Sequence, residues 1–159
     1  MKQILEQINK KEQELSQLKQ QYNVDIEIEK NKVLKSKLKG ISKSLYLLNF
    51  EFESSCGRTE QYLEFHGVFK KEFKELLKSY IKEIDISKPN HFDVSGFFKL
   101  NNDEIYWFCI GDLRWNKNSL LIRMAKDFKD YTGGINNYIK LDENFTDNLF
   151  RYLKLKELI

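Results

Sequence analysis

The sequence predicts an α+β protein: a long N-terminal helix, then a roughly five-stranded antiparallel sheet, made of a hairpin and a three-strand meander, with two packed helices. Three observations lead to this prediction. The first 39 residues contain no Gly or Pro and are rich in Glu, Gln, Lys and Leu, which favour helix. Alternating apolar and polar residues, typical of strands, begin at Ser44. Two later segments carry apolar residues at helical spacing.

The first predicted helix carries a seven-residue repeat of apolar residues. Its a and d positions are occupied by Ile4, Ile8, Leu15, Leu18 and Tyr22. Lys11 interrupts the pattern at one d position, and after Tyr22 the register shifts by four residues before Ile26 and Val33 resume it. Such a shift is typical of a coiled-coil stutter or of a break between two helices.

Two alternatives accompany this helix. Residues 24–29, VDIEIE, also alternate with period 2, so a short strand competes with the helix there. We favour one long helix ending near Gly40. Its apolar stripe predicts a homodimer through a coiled coil or a contact with a partner protein; the alternative is packing against its own domain. We therefore divide the chain into residues 1–43, the helix with a basic end, and residues 44–159, a single α+β domain.

The predicted hairpin consists of residues 44–54, SLYLLNFEFES, and 59–66, TEQYLEFH, which alternate on either side of the turn-like SSCGR. Residues 68–84, VFKKEFKELLKSYIKEI, have the clearest amphipathic helical pattern in the chain.

The predicted meander consists of residues 91–100, 104–113 and 119–125, joined by turns rich in Asn and Asp. A terminal helix over residues 142–158 completes the domain, with Asp142 as its N-cap.

The charge is distributed unevenly. Residues 1–29 hold four lysines and six acidic residues, a net charge of −2, whereas residues 30–43 hold six lysines and no acidic residue. Residues 44–159 hold 17 basic and 18 acidic groups, a net charge of −1. An electrostatic partner is therefore expected near residues 30–43. The chain shows no secretory signal and no run of 18 apolar residues, so we expect a cytoplasmic protein without membrane contact.

The basic segment is the best candidate for nucleic-acid binding. Five of its six lysines are the candidate contacts: Lys30, Lys32, Lys35, Lys37 and Lys39. Contacts of this kind would be sequence-tolerant and sensitive to salt, because they would be made to phosphates. Trp107 and Trp115 could stack on bases. A solvated lysine face is the alternative interpretation.

Metal and catalytic signatures are weak, so we predict no catalytic residue, no metal site and no cofactor. The residues with soft ligand atoms are Cys56, His66, His91 and Cys109, and none has CxxC or HxxxH spacing. We interpret the histidines as surface or strand-end residues and the cysteines as reduced thiols. His91 and Asp93 could pair as acid and base on one side of a strand, although a polar edge-strand face explains them as well.

The loop after the third meander strand contains two adjacent glycines. Arg123 interrupts an otherwise apolar strand face beside it and needs an anionic partner, which is either Asp112 or a ligand phosphate. The second alternative predicts a small-nucleotide site. That site would consist of Arg123, Lys126 and the loop amides of Thr132, Gly133, Gly134 and Asn136. A loop that contacts a protein is the third interpretation, and Arg123, Lys126 and Lys129 are candidate contacts to a protein partner or nucleic acid.

Residues 111–139, GDLRWNKNSLLIRMAKDFKDYTGGINNYI, resemble segments of small proteins from phages and plasmids of low-GC Gram-positive bacteria. In length and layout the chain resembles type II-A anti-CRISPR proteins. The resemblance implies a non-enzymatic inhibitor that binds a host RNA-guided CRISPR nuclease, alone or with its guide RNA, and blocks DNA binding or cleavage. It implies no particular functional residues. The charge of −1 over residues 44–159 argues against DNA mimicry.

Overall fold

A computed structural model describes residues 1–35, 40–52 and 59–155. The chain divides into two compact units, Met1–Lys37 and Leu38–Ile159. The elements are α1 (Lys2–Lys35), α2 (Ser42–Leu47), α3 (Glu60–Leu77), β1 (Ile81–Ile86), β2 (Val94–Leu100), β3 (Ile105–Ile110), β4 (Ser119–Ala125), β5 (Asn137–Lys140) and α4 (Phe145–Leu153). The predicted α+β class, with a long first helix and a five-stranded antiparallel sheet, is confirmed.

The first unit is the continuous helix α1, which at 34 residues is about 50 Å long. It passes through residues 24–29 without interruption, so the alternative of a short strand there is wrong. The register shift after Tyr22 is accordingly a stutter within one helix. No residue of α1 is buried. Gly40, near which we expected the helix to end, lies in a turn before α2 with a φ of 63°.

The predicted hairpin over residues 44–66 is wrong, and its first half contains the short helix α2. Ile41, Ser44 and Leu47 are buried at three-residue spacing, which places them on one side of a helix. The predicted boundary between residues 43 and 44 falls inside α2. The predicted turn SSCGR lies outside the described residues.

The second half of the predicted hairpin is the first part of α3. Thr59 caps this helix, since its side chain accepts a hydrogen bond from the Tyr62 N–H at 3.3 Å. The buried residues of α3 keep helical spacing throughout: Tyr62, Phe65, His66, Phe69, Phe73 and Leu77. The helix therefore begins eight residues before the predicted Val68, and it ends at Leu77 instead of Ile84.

The sheet is an antiparallel meander in the order β1-β2-β3-β4-β5. Its three central strands match the predicted meander. The edge strand β1 was predicted as the end of a helix, because the spacing of Ile81 and Ile84 fits a helix as well. A register irregularity between Ile81 and Glu83 also obscures the period-2 alternation of the strand. The other edge strand, β5, falls in the predicted loop, and at four residues it is too short for a clear pattern.

The hydrophobic core lies between one face of the sheet and two helices. The rings of Phe69 and Phe73 in α3 stack 5.1 Å apart, and Phe73 lies 4.8 Å from Phe108 of β3. Gly96 of β2 lies at this face, where a Cβ would be 3.1 Å from the Phe108 ring and 2.3 Å from a β1 carbonyl. Glycine is therefore required for close approach of the strands and the ring.

Helix α4 packs on the same face of the sheet as α3. Tyr152 of α4 contacts Tyr106 of β3, with ring centroids 5.8 Å apart, and Leu149 is fully buried. Asp142 is not the N-cap of this helix, because Asn144 occupies that position. The Asp142 carboxylate instead accepts the Asn144 N–H at 2.9 Å and forms the turn that precedes the helix.

Candidate functional site

The second face of the sheet carries a row of large side chains across three strands. Register pairs Phe97 of β2 with Trp107 of β3, and Trp107 with Arg123 of β4. Side chains directly opposite one another on adjacent strands are close enough to interact. Neither α3 nor α4 covers this face, because the packed side chains of both helices meet the alternate residues of the strands.

Arg123 is held within this row by Trp107 and Asn136. Its guanidinium carbon lies 4.6 Å from the centroid of the Trp107 ring, and Nη1 donates to Asn136 Oδ1 at 3.3 Å. Its Nε is buried and has no acceptor among the described residues. The arginine is thus positioned by an aromatic face and a neutral amide, with one donor unused.

Asp112 does not pair with Arg123, so this predicted pairing is wrong. The Asp112 carboxylate accepts two bonds from the Arg114 guanidinium, at 2.9 and 2.6 Å, and one from the Arg114 backbone N–H at 3.0 Å. These bonds lower the pKa of Asp112. Arg114 is two positions from Asp112 in the same turn, so the pair forms with little loss of chain entropy. Arg123 is eleven positions away, and the same contact would cost more entropy.

The loop between β4 and β5 covers part of the second face. Phe128 packs on Phe97 with ring centroids 6.0 Å apart, and Tyr131 packs on Trp107 at 5.8 Å. These two aromatic contacts anchor the loop to the same row of residues that holds Arg123. The loop therefore extends the apolar surface of this sheet face.

Two aspartates use backbone amides of the loop. Asp127 Oδ1 accepts the N–H groups of Lys129 and Asp130, at 2.8 and 2.9 Å. Asp130 Oδ1 accepts from both the N–H and the hydroxyl of Thr132, and these bonds lower the pKa of Asp130. The Thr132 amide, predicted as part of an anion site, is thus engaged by a carboxylate of the loop itself.

The adjacent glycines shape the end of this loop. Gly133 and Gly134 have φ values of 85° and 73°, which side-chain-bearing residues rarely adopt. A Cβ on Gly134 would lie 2.4 Å from the Met124 carbonyl oxygen, whereas one on Gly133 would meet open space. This turn brings Asn136 to Arg123. The anion site remains a hypothesis, for which the structure places Lys126 and Lys129 at the exposed surface beside the two aspartates.

The predicted basic segment lies partly in the last turns of α1. Lys32 and Lys35 are exposed, and Lys30 is partly buried. Lys37 and Lys39 lie outside the described residues. Lys32 and Lys35 are three residues apart and therefore project from neighbouring parts of the helix surface.

A buried polar cluster beneath the turn before β2 was not predicted. His66 of α3 is buried, and its Nε2 lies 3.0 Å from the Ser87 carbonyl oxygen. Burial lowers the pKa of His66, so the interpretation of this histidine as a surface or strand-end residue is wrong. The Tyr62 hydroxyl donates to the Asp93 carbonyl at 2.6 Å and accepts the Asn90 N–H at 2.8 Å. The burial of His66 could have been predicted from its helical spacing with the phenylalanines of α3.

His91 and Asp93 do not share one side of a strand. His91 is exposed with a φ of 49° in the turn, and β2 begins at Val94. Burial raises the pKa of Asp93, and the nearby Asp112 raises it further.

Cys109 lies half-buried on the second sheet face. Burial, with a smaller effect of the Asp93 charge, raises its pKa to about 11, which suppresses the nucleophilic thiolate. Cys56 lies outside the described residues. In residues 1–35, 40–52 and 59–155, no group of three or more His, Cys, Asp or Glu side chains is placed to hold a metal ion.

The apolar stripe of α1 is exposed. Relative exposures of 47 to 68% are found for Ile4, Ile8, Leu15, Leu18 and Tyr22. A stripe of five large apolar side chains in water is unfavourable and typical of an interaction surface.

Comparison with protein families, with curated proteins and with solved structures finds no match. Among the described residues, no helix has the length and apolar character needed to cross a membrane.

Proposed function

We propose that the protein is a non-enzymatic binding protein whose principal contact surface for another polypeptide is the apolar stripe of α1. The observation that carries this proposal is the exposure of the stripe along a 34-residue helix that buries none of its residues. Helices recognise protein partners through such stripes, since burial of each large side chain contributes roughly 1.5–3 kcal/mol.

Two features of the second unit support binding over catalysis. The Cys109 thiol is kept protonated by burial, and the His66 ring is engaged with the Ser87 carbonyl inside the core. Both groups therefore have environments that suit packing better than nucleophilic or acid–base chemistry.

The proposed target is an RNA-guided CRISPR nuclease with its guide RNA, inhibited in the cytoplasm of a bacterial host. This target rests on the resemblance of residues 111–139. These residues include β4, the loop after it and most of β5, and Tyr131, Ile135 and Tyr138 among them are exposed. Exposed tyrosines beside an arginine are typical of protein interfaces.

The proposal is tested by titrating the full chain into DNA-cleavage assays with a panel of purified type II-A nuclease–guide complexes. We expect cleavage by at least one complex to fall to zero at a fixed stoichiometric ratio, and a restriction endonuclease to remain active. No inhibition of any complex would refute the proposed target.

The role of the stripe is tested in the same assay with Leu15→Glu, which places a charge at its centre. We expect the inhibitory potency to fall at least about tenfold, because the charge would have to be buried in the contact. The matched control is Gln13→Glu, which introduces the same charge on the outward side of α1 and should leave potency unchanged. Equal potency of the two variants would exclude the stripe as the contact surface.

A second candidate function is sequence-tolerant nucleic-acid binding, favoured by the exposure of Lys32 and Lys35 on neighbouring parts of α1. Gel shifts with unrelated DNA and RNA oligonucleotides would show binding that weakens with salt and with Lys32→Glu/Lys35→Glu. Binding unaffected by this double substitution would exclude Lys32 and Lys35 as nucleic-acid contacts.

A further inference from the structure

Charged residues flank the apolar stripe of α1. In the heptad that places Ile8, Leu15 and Tyr22 at a, and Ile4 and Leu18 at d, the flanking e and g positions are also fixed. Glu12 and Lys19 fall at e, and Glu14 falls at g. We propose that α1 pairs with α1 of a second copy of the chain as a parallel, in-register coiled coil over residues 4–22. This inference rests on the proposed function, because it names the partner of the same stripe.

Parallel pairing is complementary in charge. In a parallel dimer each g residue lies beside the e residue five positions later on the other helix. Glu14 of each copy therefore faces Lys19 of the other, which gives two symmetric ion pairs. The same arrangement brings the apolar a and d side chains into contact with their own equivalents.

Lys11, the interruption at d, fits this parallel arrangement. A d side chain packs beside the e residue of the opposite helix, so Lys11 lies next to Glu12 of the second copy. Within its own helix, the Lys11 Nζ already lies 3.7 Å from Glu14 Oε2. Its long aliphatic stem can cover the seam while the charge remains at the edge. In this register Lys11 also faces Lys11 of the second copy, so this charged seam position costs stability while it fixes the register.

Antiparallel pairing is unfavourable in charge. The antiparallel alignment that keeps the whole stripe opposes Ile4 with Tyr22 and Ile8 with Leu18 of the second copy. Beside the seam of an antiparallel pair, g residues flank g residues and e residues flank e residues. Glu14 therefore lies near Glu14 of the second copy, and Glu12 lies near Glu12. Like charges facing each other across a helix pair destabilise it, so the parallel arrangement is preferred.

Sedimentation equilibrium of the full chain tests the dimer and its ion pairs. We expect a reversible dimer at concentrations on the order of 100 µM or below. Lys19→Glu should raise the dissociation constant about tenfold, because it replaces two attractions with two repulsions. The combined variant Glu14→Lys/Lys19→Glu should restore it. The matched control Lys10→Glu makes the same charge change at an outward c position and should have little effect.

Disulfide formation tests the orientation. In a chain carrying Cys56→Ser and Cys109→Ser, Ile8→Cys should cross-link rapidly under mild oxidation, since equivalent a positions meet in the parallel dimer. In the antiparallel alignment the two equivalent positions would be separated by about ten residues, or about 15 Å, and would not cross-link. Lys10→Cys in the same background is the off-seam control.

A monomer at on the order of 100 µM overturns the inference. So does Lys19→Glu matching Lys10→Glu, or cross-linking of Ile8→Cys no faster than that of Lys10→Cys. These measurements contain no nuclease, so they test the dimer independently of the proposed nuclease target. A dimer that inhibits no nuclease would refute the target alone, whereas an inhibitory monomer would refute the dimer alone.

Discussion

The carboxylate of Glu72 in α3 caps the N-terminus of α2 through Ser44. Glu72 Oε1 accepts hydrogen bonds from both the backbone N–H and the hydroxyl of Ser44, each at 2.7 Å, and Oε2 accepts the Lys43 N–H at 3.2 Å. Ile41, at the N-cap position, has no side chain able to accept a bond. A residue 28 positions away therefore supplies the cap that α2 lacks locally.

Removal of this cap should destabilise the second unit. We expect Glu72→Ala to lower the free energy of unfolding by about 1–3 kcal/mol, because buried Ser44 loses its acceptor. Urea denaturation followed by circular dichroism measures the effect. Glu75→Ala, at an exposed position of the same helix, is the control and should change stability by less than about 0.5 kcal/mol. Equal effects of the two substitutions would argue against the cap.

Arg123 is predicted to contribute to stability through Trp107 and Asn136. Arg123→Ala should lower the free energy of unfolding by about 1–2 kcal/mol, since the stacked guanidinium and its bond to Asn136 are both lost. Lys126→Ala, at an exposed position, is the control. If Arg123→Ala keeps full stability but abolishes thermal stabilisation by a phosphorylated nucleotide, the residue belongs to a ligand site instead.

The two loop glycines should respond differently to alanine. Both substitutions carry the backbone cost of a positive φ, about 1–2 kcal/mol. Gly134→Ala should cost clearly more than Gly133→Ala, because its Cβ would lie against the Met124 carbonyl oxygen. Thermal denaturation of the two variants makes the comparison. A larger effect at Gly133 would contradict the close packing of the loop on β4.

Stability should decrease as the pH falls below about 6.5, the ordinary pKa of histidine. The pKa of His66 is lowered in the folded chain, so the unfolded chain binds a proton more readily between that value and 6.5. The free energy of unfolding therefore falls with decreasing pH in this window, by at most about 1.4 kcal/mol per pH unit. Asp93, whose pKa is raised, acts in the opposite direction at lower pH.

Chemical denaturation at a series of pH values between about 5 and 7.5 measures this slope. His66→Gln should flatten it, because the buried titrating group is removed. His91→Gln, at an exposed position, should preserve it. A slope that survives in His66→Gln would show that another group is responsible.

The central strands and the first helix could be predicted because their patterns are local, although residues 24–29 of the helix also fitted a strand. Strands β2 to β4 alternate between a buried and a less buried face, and α1 combines helix-favouring residues with a seven-residue repeat. The candidate site was partly predictable. Arg123 was identified as the residue that interrupts an apolar face, and the glycines as the turn beside it. The row of Phe97, Trp107 and Arg123, on which the loop packs, depends on the register of three neighbouring strands. The sequence does not specify this register.

The sequence by itself determined the α+β class, the long first helix with its apolar stripe and flanking charges, and the position of the basic segment, because these follow from the periodicity and charge of neighbouring residues. The tertiary structure decided that residues 42–47 and 60–66 are helical, and it decided the partner of Arg123. The first segment fits a period of 2 as well as helical spacing, and the cap from Glu72 together with burial of Leu47 selects the helix. The partner of Arg123 depends on which side chains lie close in the folded chain. Arg114 engages Asp112 within its own turn, and the loop brings Asn136 to Arg123.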